Sequence, residues 1–268
     1  MISKLRITAL LVAVLALLLS AGPAAARSLD EIREAGVLRV GTSLFTPWAI
    51  RAGEGQLIGF EADVARKLAA DMGVEPELKV YPWKELVDAL EAGEIDMIAA
   101  GMSVTPARAL RVWFSDAYHE SGVTLATNTA KTADVARLED LNDPRYRIGV
   151  VKGTVAEDLA RRVFGEAKIK VYDQDDKASE ALLAGRIDGY LESYPGPQFL
   201  ALENPERIDT PLAKPLLTTR SAFAVARGNA DLVFFLNAWI TARQADTWLP
   251  STESYWFRSL RWRERLED

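Results

Sequence analysis

Arg108 stands where a cation is poorly placed. It ends the segment Ala99-Ala100-Gly101-Met102-Ser103-Val104-Thr105-Pro106-Ala107-Arg108, in which Thr105 suits a helix N-cap and Pro106 the first helical position. The guanidinium then sits in the first helical turn, against the positive end of the dipole, where an acid would be favoured. A ligand carboxylate offsets the misfit, because a guanidinium offers two parallel donors and the amides of a helix start add more. The competing reading is an ion pair with a local acid such as Asp116. A second helix start, Lys152-Gly153-Thr154-Val155-Ala156-Glu157, carries a T-x-x-E capping box in Thr154 and Glu157, and Gly153 lets backbone come close to a guest. Capping boxes usually only start helices, so this segment matters through its position. Phe45, Trp48 and Trp83 supply apolar area at little rotamer cost, each as well suited to core as to a ligand wall.

Such residues need a scaffold, and the chain spells one twice. Ala89-Leu90-Glu91-Ala92-Gly93-Glu94-Ile95-Asp96 returns as Ala181-Leu182-Leu183-Ala184-Gly185-Arg186-Ile187-Asp188, and each copy runs into a short apolar strand. The first unit predicts strand 38–42, helix 61–72, strand 77–81, helix 83–92 and strand 95–99. The second predicts strand 147–151, helix 154–164, strand 168–172, helix 176–184 and strand 187–191. Strands alternating with helices of this length imply right-handed βαβ crossovers and parallel sheets. Gly73, Gly93, Gly165 and Gly185 fall where those helices should stop. The expected fold is α/β: two Rossmann-like lobes with a small-molecule cleft where strand ends face each other.

Lys4 and Arg6, the apolar run Ile7 to Leu19, and Ala21-Gly22-Pro23-Ala24-Ala25-Ala26 predict a signal peptide over residues 1–26, cleaved after Ala26. No basic or aromatic flank follows the run to favour a membrane anchor. A periplasmic protein is therefore expected. The chain has no cysteine, which excludes disulfides, thiol nucleophiles and thiolate metal sites, and His119 is its one histidine. The 32 basic residues less Lys4 and Arg6 leave 30 against 38 acidic, a net charge of −8 for the exported part and a poor match to nucleic acid.

With these residues assembled, the chain resembles the extracellular solute-binding proteins of family 3, the polar amino-acid receptors of ABC importers. The stretches that carry the likeness are Gly59-Phe60-Glu61-Ala62-Asp63-Val64-Ala65, Gly93-Glu94-Ile95-Asp96, Gly101 to Arg108, Phe114-Ser115-Asp116-Ala117-Tyr118-His119-Glu120-Ser121-Gly122 and Gly149-Val150-Val151-Lys152-Gly153-Thr154. The resemblance implies a type II periplasmic binding fold. Lobe 1 would be discontinuous, 27–125 plus 220–268, and lobe 2 would take 126–219, with crossing strands near Val123 to Thr127 and Ala222 to Val225. It implies that Arg108 grips the ligand carboxylate, helped by Gly101, Ser103 and Thr154, and that Trp83 lies against the ligand; closure is then expected to bring the Thr154 helix start, with Gly153, and the Glu192 region over it. A membrane permease is the implied partner, a monomer the implied state, and no cofactor or metal is called for.

Two departures bear on the ligand. The aspartate that usually holds the α-ammonium, five residues after the Asp188 position, is Ser193 here, with Glu192 one step earlier; the acid often found after the first strand is Ser43. Either Glu192 takes over the ammonium, the reading preferred here, or the ligand is an organic acid without an amine. Strand alternation sends Glu192 and Ser193 to opposite faces unless a turn has begun. The periplasmic cyclohexadienyl dehydratases share this scaffold, and the aromatic end Tyr255-Trp256-Phe257-Arg258-Ser259-Leu260-Arg261-Trp262 is similar. Their general-acid glutamate falls at Gly196, so the acid is absent as aligned, unless the Glu192 carboxyl group is repurposed. The arginines at 258, 261, 263 and 265 read less well as a surface for an anionic polymer or membrane than as a terminal helix that packs Trp256 and Leu260 on lobe 1 and leaves its arginines in water.

Overall fold

The computed structural model describes residues 26–266; the expected signal peptide lies outside the described residues except for Ala26. The first half runs α1 Leu29–Ala35, β1 Val37–Thr42, β2 Ile50–Arg51, β3 Leu57–Ile58, α2 Phe60–Met72, β4 Glu75–Val80, α3 Leu86–Glu91, β5 Met97–Ile98, α4 Pro106–Ala109 and the long β6 Val112–Asn128. The second half runs β7 Arg147–Val151, α5 Val155–Val163, β8 Lys168–Tyr172, α6 Asp175–Leu183, β9 Gly189–Ser193, α7 Gly196–Glu203, β10 Ile208–Asp209, β11 Leu217–Ala226, α8 Ala230–Ala245 and α9 Trp248–Arg258, with a 3-10 turn over Arg261–Leu266.

The repeat is a structural repeat. In each copy the isoleucine covers a glycine of the first strand: a Cβ on Gly41 would lie 2.3 Å from Ile95 Cδ1, and one on Gly149 would lie 2.3 Å from Ile187 Cδ1. The following aspartate clamps that strand. Asp96 accepts from the Arg39 amide at 2.8 Å and Arg39 Nη2 at 2.6 Å, with Arg27 Nε adding a bond at 2.9 Å. Asp188 accepts from the Arg147 amide and Nη2, both at 2.7 Å. Three of the four expected stop glycines adopt left-handed φ, at 72° for Gly73, 70° for Gly93 and 64° for Gly185. Gly165 does not, because Phe164 already caps α5 with its ring fully buried.

The strand arrangement departs from two separate parallel sheets. One continuous sheet has the order β4-β1-β5-β11-β6-β9-β7-β8, with β10 against β6. Its flanks are parallel, β4-β1-β5 and β9-β7-β8, while β11 and β6 run antiparallel through the middle and join the lobes. β6 pairs with β11 as far as Val123 and with β9 from Val123 to Thr127. Ala222 to Val225, expected to cross between lobes, instead pair inside the first flank: Ala224 and Val225 reach β5, and β6 matches this stretch with its first residues. The helix expected over 83–92 splits into a 3-10 turn at Trp83–Glu85 and α3, since Pro82 fixes the entry and no side chain caps the break.

The C-terminal segment ties both flanks together. Trp256 is buried on α2, its Nε1 donating to Asp63 at 2.9 Å, and Arg265 stacks over the Trp256 ring at 5.1 Å while reaching the same aspartate. Trp262 then packs on Phe199 of α7, with centroids 5.6 Å apart, and Arg263 pairs with Glu203. Three of the arginines expected in water are thus ion-paired, Arg258 with Glu253 of α9, Arg263 with Glu203 and Arg265 with Asp63. Packing on α7 brings Arg263 beside an acid of the other flank, which the linear pattern could not show.

Candidate functional site

Arg108 is placed by the loop that leaves β5. Thr105 Oγ1 accepts from the Arg108 amide at 3.3 Å, Pro106 occupies N1, and α4 lasts only four residues. The half-buried guanidinium donates from Nη1 to the Ser103 carbonyl at 2.8 Å and from Nη2 to the Gly153 carbonyl, 45 residues away, at 3.0 Å. Its carbon lies 5.3 Å from the Trp83 ring centroid. Among the described residues no carboxylate pairs with it. Asp116, the alternative partner, is exposed and makes no ion pair with it. Burial lowers the Arg108 pKa, opposed only by the distant charge of Asp158. A partly desolvated cation without a counter-ion is the electrostatic signature of an anion site.

Gly153 is the second lobe's contribution. Its carbonyl also accepts from Trp83 Nε1 at 3.0 Å, and nearby Lys84 Nζ lies 3.4 Å from Asp173, so the two lobes meet across the cleft. The capping box is shifted by one residue. Thr154 Oγ1 accepts from the Glu157 amide as expected, but Glu157 Oε2 takes the Gly153 amide at 2.8 Å. The Thr154 amide is already committed to Val151, and the positive φ of Gly153, 75°, swings its own amide toward the carboxylate.

The floor is built on Gly101, whose φ of 62° and contact with Trp48 leave no room for a side chain: a Cβ would lie 2.8 Å from the indole. The Gly101 amide donates to Glu61 Oε1 at 2.6 Å, and Tyr118 donates to the same oxygen at 2.5 Å. Glu61 is 1% exposed, and its other oxygen has no partner among the described residues. Burial pushes its pKa up to about 7, against the pull of the two hydrogen bonds. This residue was visible only as part of a motif. The signal was an acid flanked by Phe60, Ala62, Val64 and Ala65 on what proves to be the buried face of α2. Because the folded pKa is raised, folded Glu61 keeps its proton between the ordinary carboxylate range and about 7 while the unfolded chain loses it, so stability falls as pH rises through that window. Glu61→Gln should flatten this slope, gaining on the order of 3 kcal/mol relative to wild type between pH 5 and pH 8. Urea titrations at both pH values check it; an equal change in stability between them for wild type and variant refutes it.

Glu192 and Ser193 close the far wall. They pair with Thr124 and Val123 of β6, yet both line the Arg108 cavity, because β9 ends at Ser193 and the chain turns at Tyr194. Glu192 is 5% exposed. Burial first, then the charge of Asp175, push its pKa well above the carboxylate range. A Cβ on Gly196 would lie 1.9 Å from Glu192 Oε2, so this carboxyl group fills the space that a side chain at 196 would take. Of the residues expected at the site, Phe45, Trp83, Gly101, Ser103, Arg108, Thr154, Glu192 and Ser193 line one cavity, joined by Trp48, and Gly153 reaches it through its carbonyl. Ser43 does not line it. It belongs to an adjoining cavity with Asp173, Asp175 and Asp176, and Phe45 lines both spaces. The space beside Arg108 is only about 30 Å³, so a guest larger than water enters by parting the lobes.

The profile of the bacterial extracellular solute-binding proteins, family 3, matches residues 38–259. The chain belongs to this family. The L-cystine-binding protein of Escherichia coli K12 is 28% identical to this solute-binding protein over 233 residues, covering 85% of each chain. The cyclohexadienyl dehydratase of Pseudomonas aeruginosa is 29% identical over 221 residues, 79% of this chain and 82% of that one. Among crystal structures, an ancestral amino acid-binding protein described as a precursor of cyclohexadienyl dehydratase superposes with a TM-score of 0.77 at 29% identity, covering 85% of this family 3 chain and 98% of its own. The fold is that of type II periplasmic binding proteins.

Proposed function

We propose that this family 3 protein is a monomeric, non-enzymatic periplasmic receptor that takes an α-amino acid between its lobes and presents it to the permease of an ABC importer. The observation that carries the reading is the guanidinium of Arg108, facing the cleft with carbonyls for partners and, among the described residues, no counter-ion. Export would follow from the signal peptide, and the lobes would be 27–125 with 220–268, and 126–219. In an opened form the Gly153 carbonyl leaves Arg108, and a ligand carboxylate takes its donors, with Gly101, Ser103 and Thr154 around it. Trp83 and Phe45, whose rings meet edge to face at 5.5 Å, cover the apolar part. Glu192 receives the α-ammonium, whose charge supplies what its buried carboxylate lacks. Closure excludes water and strengthens each charged contact, so ligand shifts the population by its preference for the closed form.

Isothermal calorimetry on ligand-stripped protein tests this, after a thermal-shift screen of α-amino acids and their deaminated analogues. Amino acids should bind and their deaminated analogues bind weakly; Glu192→Gln should erase most of that preference, about tenfold or more. Equal affinity for both classes would remove the amine site.

One observation favours a second reading. The Glu192 carboxyl group, its pKa pushed up by burial and the charge of Asp175, fills the space beside Gly196 where the related dehydratases are expected to carry their acid. Incubation with prephenate or arogenate, followed by ultraviolet detection of an aromatic product, separates an enzyme from a receptor.

A further inference from the structure

The cleft continues behind Glu192. That residue lines the Arg108 cavity on one side and, on the other, a roomier cavity of about 250 Å³ walled by Asp175, Ser179, Tyr190, Phe199 and Trp262. Glu192 is 5% exposed and has no side-chain partner among the described residues, its one favourable contact being the Ser193 amide. Asp175, at the start of α6, accepts from the Tyr190 hydroxyl at 2.6 Å and from the Thr46 amide, but from no cation. Glu203 at the rim is already paired with Arg263. Two carboxyl groups therefore line one cavity, and among the described residues no cation pairs with either.

We propose that this compartment takes a second cationic group at the far end of the ligand side chain, so that the preferred ligands are α-amino acids bearing a distal ammonium or guanidinium. The inference rests on the reading of Arg108 and Glu192 given above and adds Asp175 as the acceptor for the distal charge. Burial and the charge of neighbouring Asp176 raise Asp175 to about 6, and burial with the charge of Asp175 holds Glu192 well above the carboxylate range, so charging both acids is disfavoured. A guest cation placed between them removes that repulsion. Phe199 and Trp262 offer apolar surface for a methylene stem, the usual arrangement for a long cationic side chain. An apolar side chain of equal length would bury the carboxyl groups without a partner, and an acidic one would add a like charge.

Calorimetry with L-lysine, L-norleucine and L-glutamate on the full exported protein tests the inference. Lysine should bind about tenfold or more tighter than norleucine, a margin in keeping with one buried charge pair, and glutamate should bind weakest. The readout in variants is the ratio of lysine to norleucine affinity, which is insensitive to a general loss of folding. Asp175→Asn should collapse that ratio toward one, and Ser179→Leu, which fills the compartment from α6, should do the same. Equal binding of lysine and norleucine by wild type would overturn the compartment while leaving Arg108 and Glu192 in their roles. A lysine preference retained by both variants would also overturn it. Binding of none of the three amino acids would overturn the receptor reading and this inference with it.

Discussion

Replacing Arg108 by alanine should weaken binding of an α-amino acid by about 100-fold or more, at least about 3 kcal/mol, because a carboxylate enclosed by the closing lobes would be left without its cation. The loss should be concentrated in binding. Among the described residues Arg108 makes no ion pair, and its two hydrogen bonds go to carbonyls that water can serve in an opened cleft. One of those bonds spans the lobes, so the variant should also rest more open, which small-angle scattering would register. Titration calorimetry decides the matter: an affinity loss below about tenfold would remove Arg108 from its role.

Asp96→Ala should be the most destabilising of the substitutions considered, costing about 3–5 kcal/mol. Its carboxylate is fully buried and satisfies the backbone and side chain of Arg39 together with Arg27; alanine leaves those donors facing an apolar hole. For a chain of this size the melting temperature should fall by about 10 °C. The pH dependence has a definite sign. Burial pushes Asp96 up, but the bonds from Arg27 and Arg39 outweigh it and hold its pKa below the carboxylate range. Its contribution is present above the unfolded value and is lost as pH falls through the depressed folded value, so wild type and variant should converge in acid. A cost below about 1 kcal/mol at neutral pH, or a difference that persists undiminished in acid, would show that the clamp is not what holds β1.

The same clamp shows why so much of the fold could be read from the chain. Asp96 and Asp188 recur in matched octapeptides because each must reach the strand that opens its unit, and an identical physical task left an identical spelling. Caps were legible for the same reason: Thr105, Pro106 and Thr154 act within one turn of themselves. Glu61 was less legible, since its importance depends on being sealed beneath Gly101, 40 residues away.

Where the linear reading stopped, contacts distant in sequence took over. Alternation along β9 predicted opposite faces for Glu192 and Ser193, and the turn at Tyr194 brought both to the cavity. The absence of an acid at Gly196 was correct as a letter, yet Glu192 fills the same space from four residues away. Asp175 carried no motif at all, and only the packing of α6 against β9 sets it beside Glu192.

What the sequence determined alone, then, was the local and the repeated: two βαβ units, their caps, and a cation misplaced at a helix start. These are settled within a few residues by hydrogen-bond geometry and side-chain periodicity. What the tertiary structure decided was the merging of the flanks into one sheet through β6 and β11, the Gly153 carbonyl on Arg108, and the acid-walled space behind Glu192. Each depends on how two lobes fold back on each other, and desolvation and charge coupling act through space, blind to chain order.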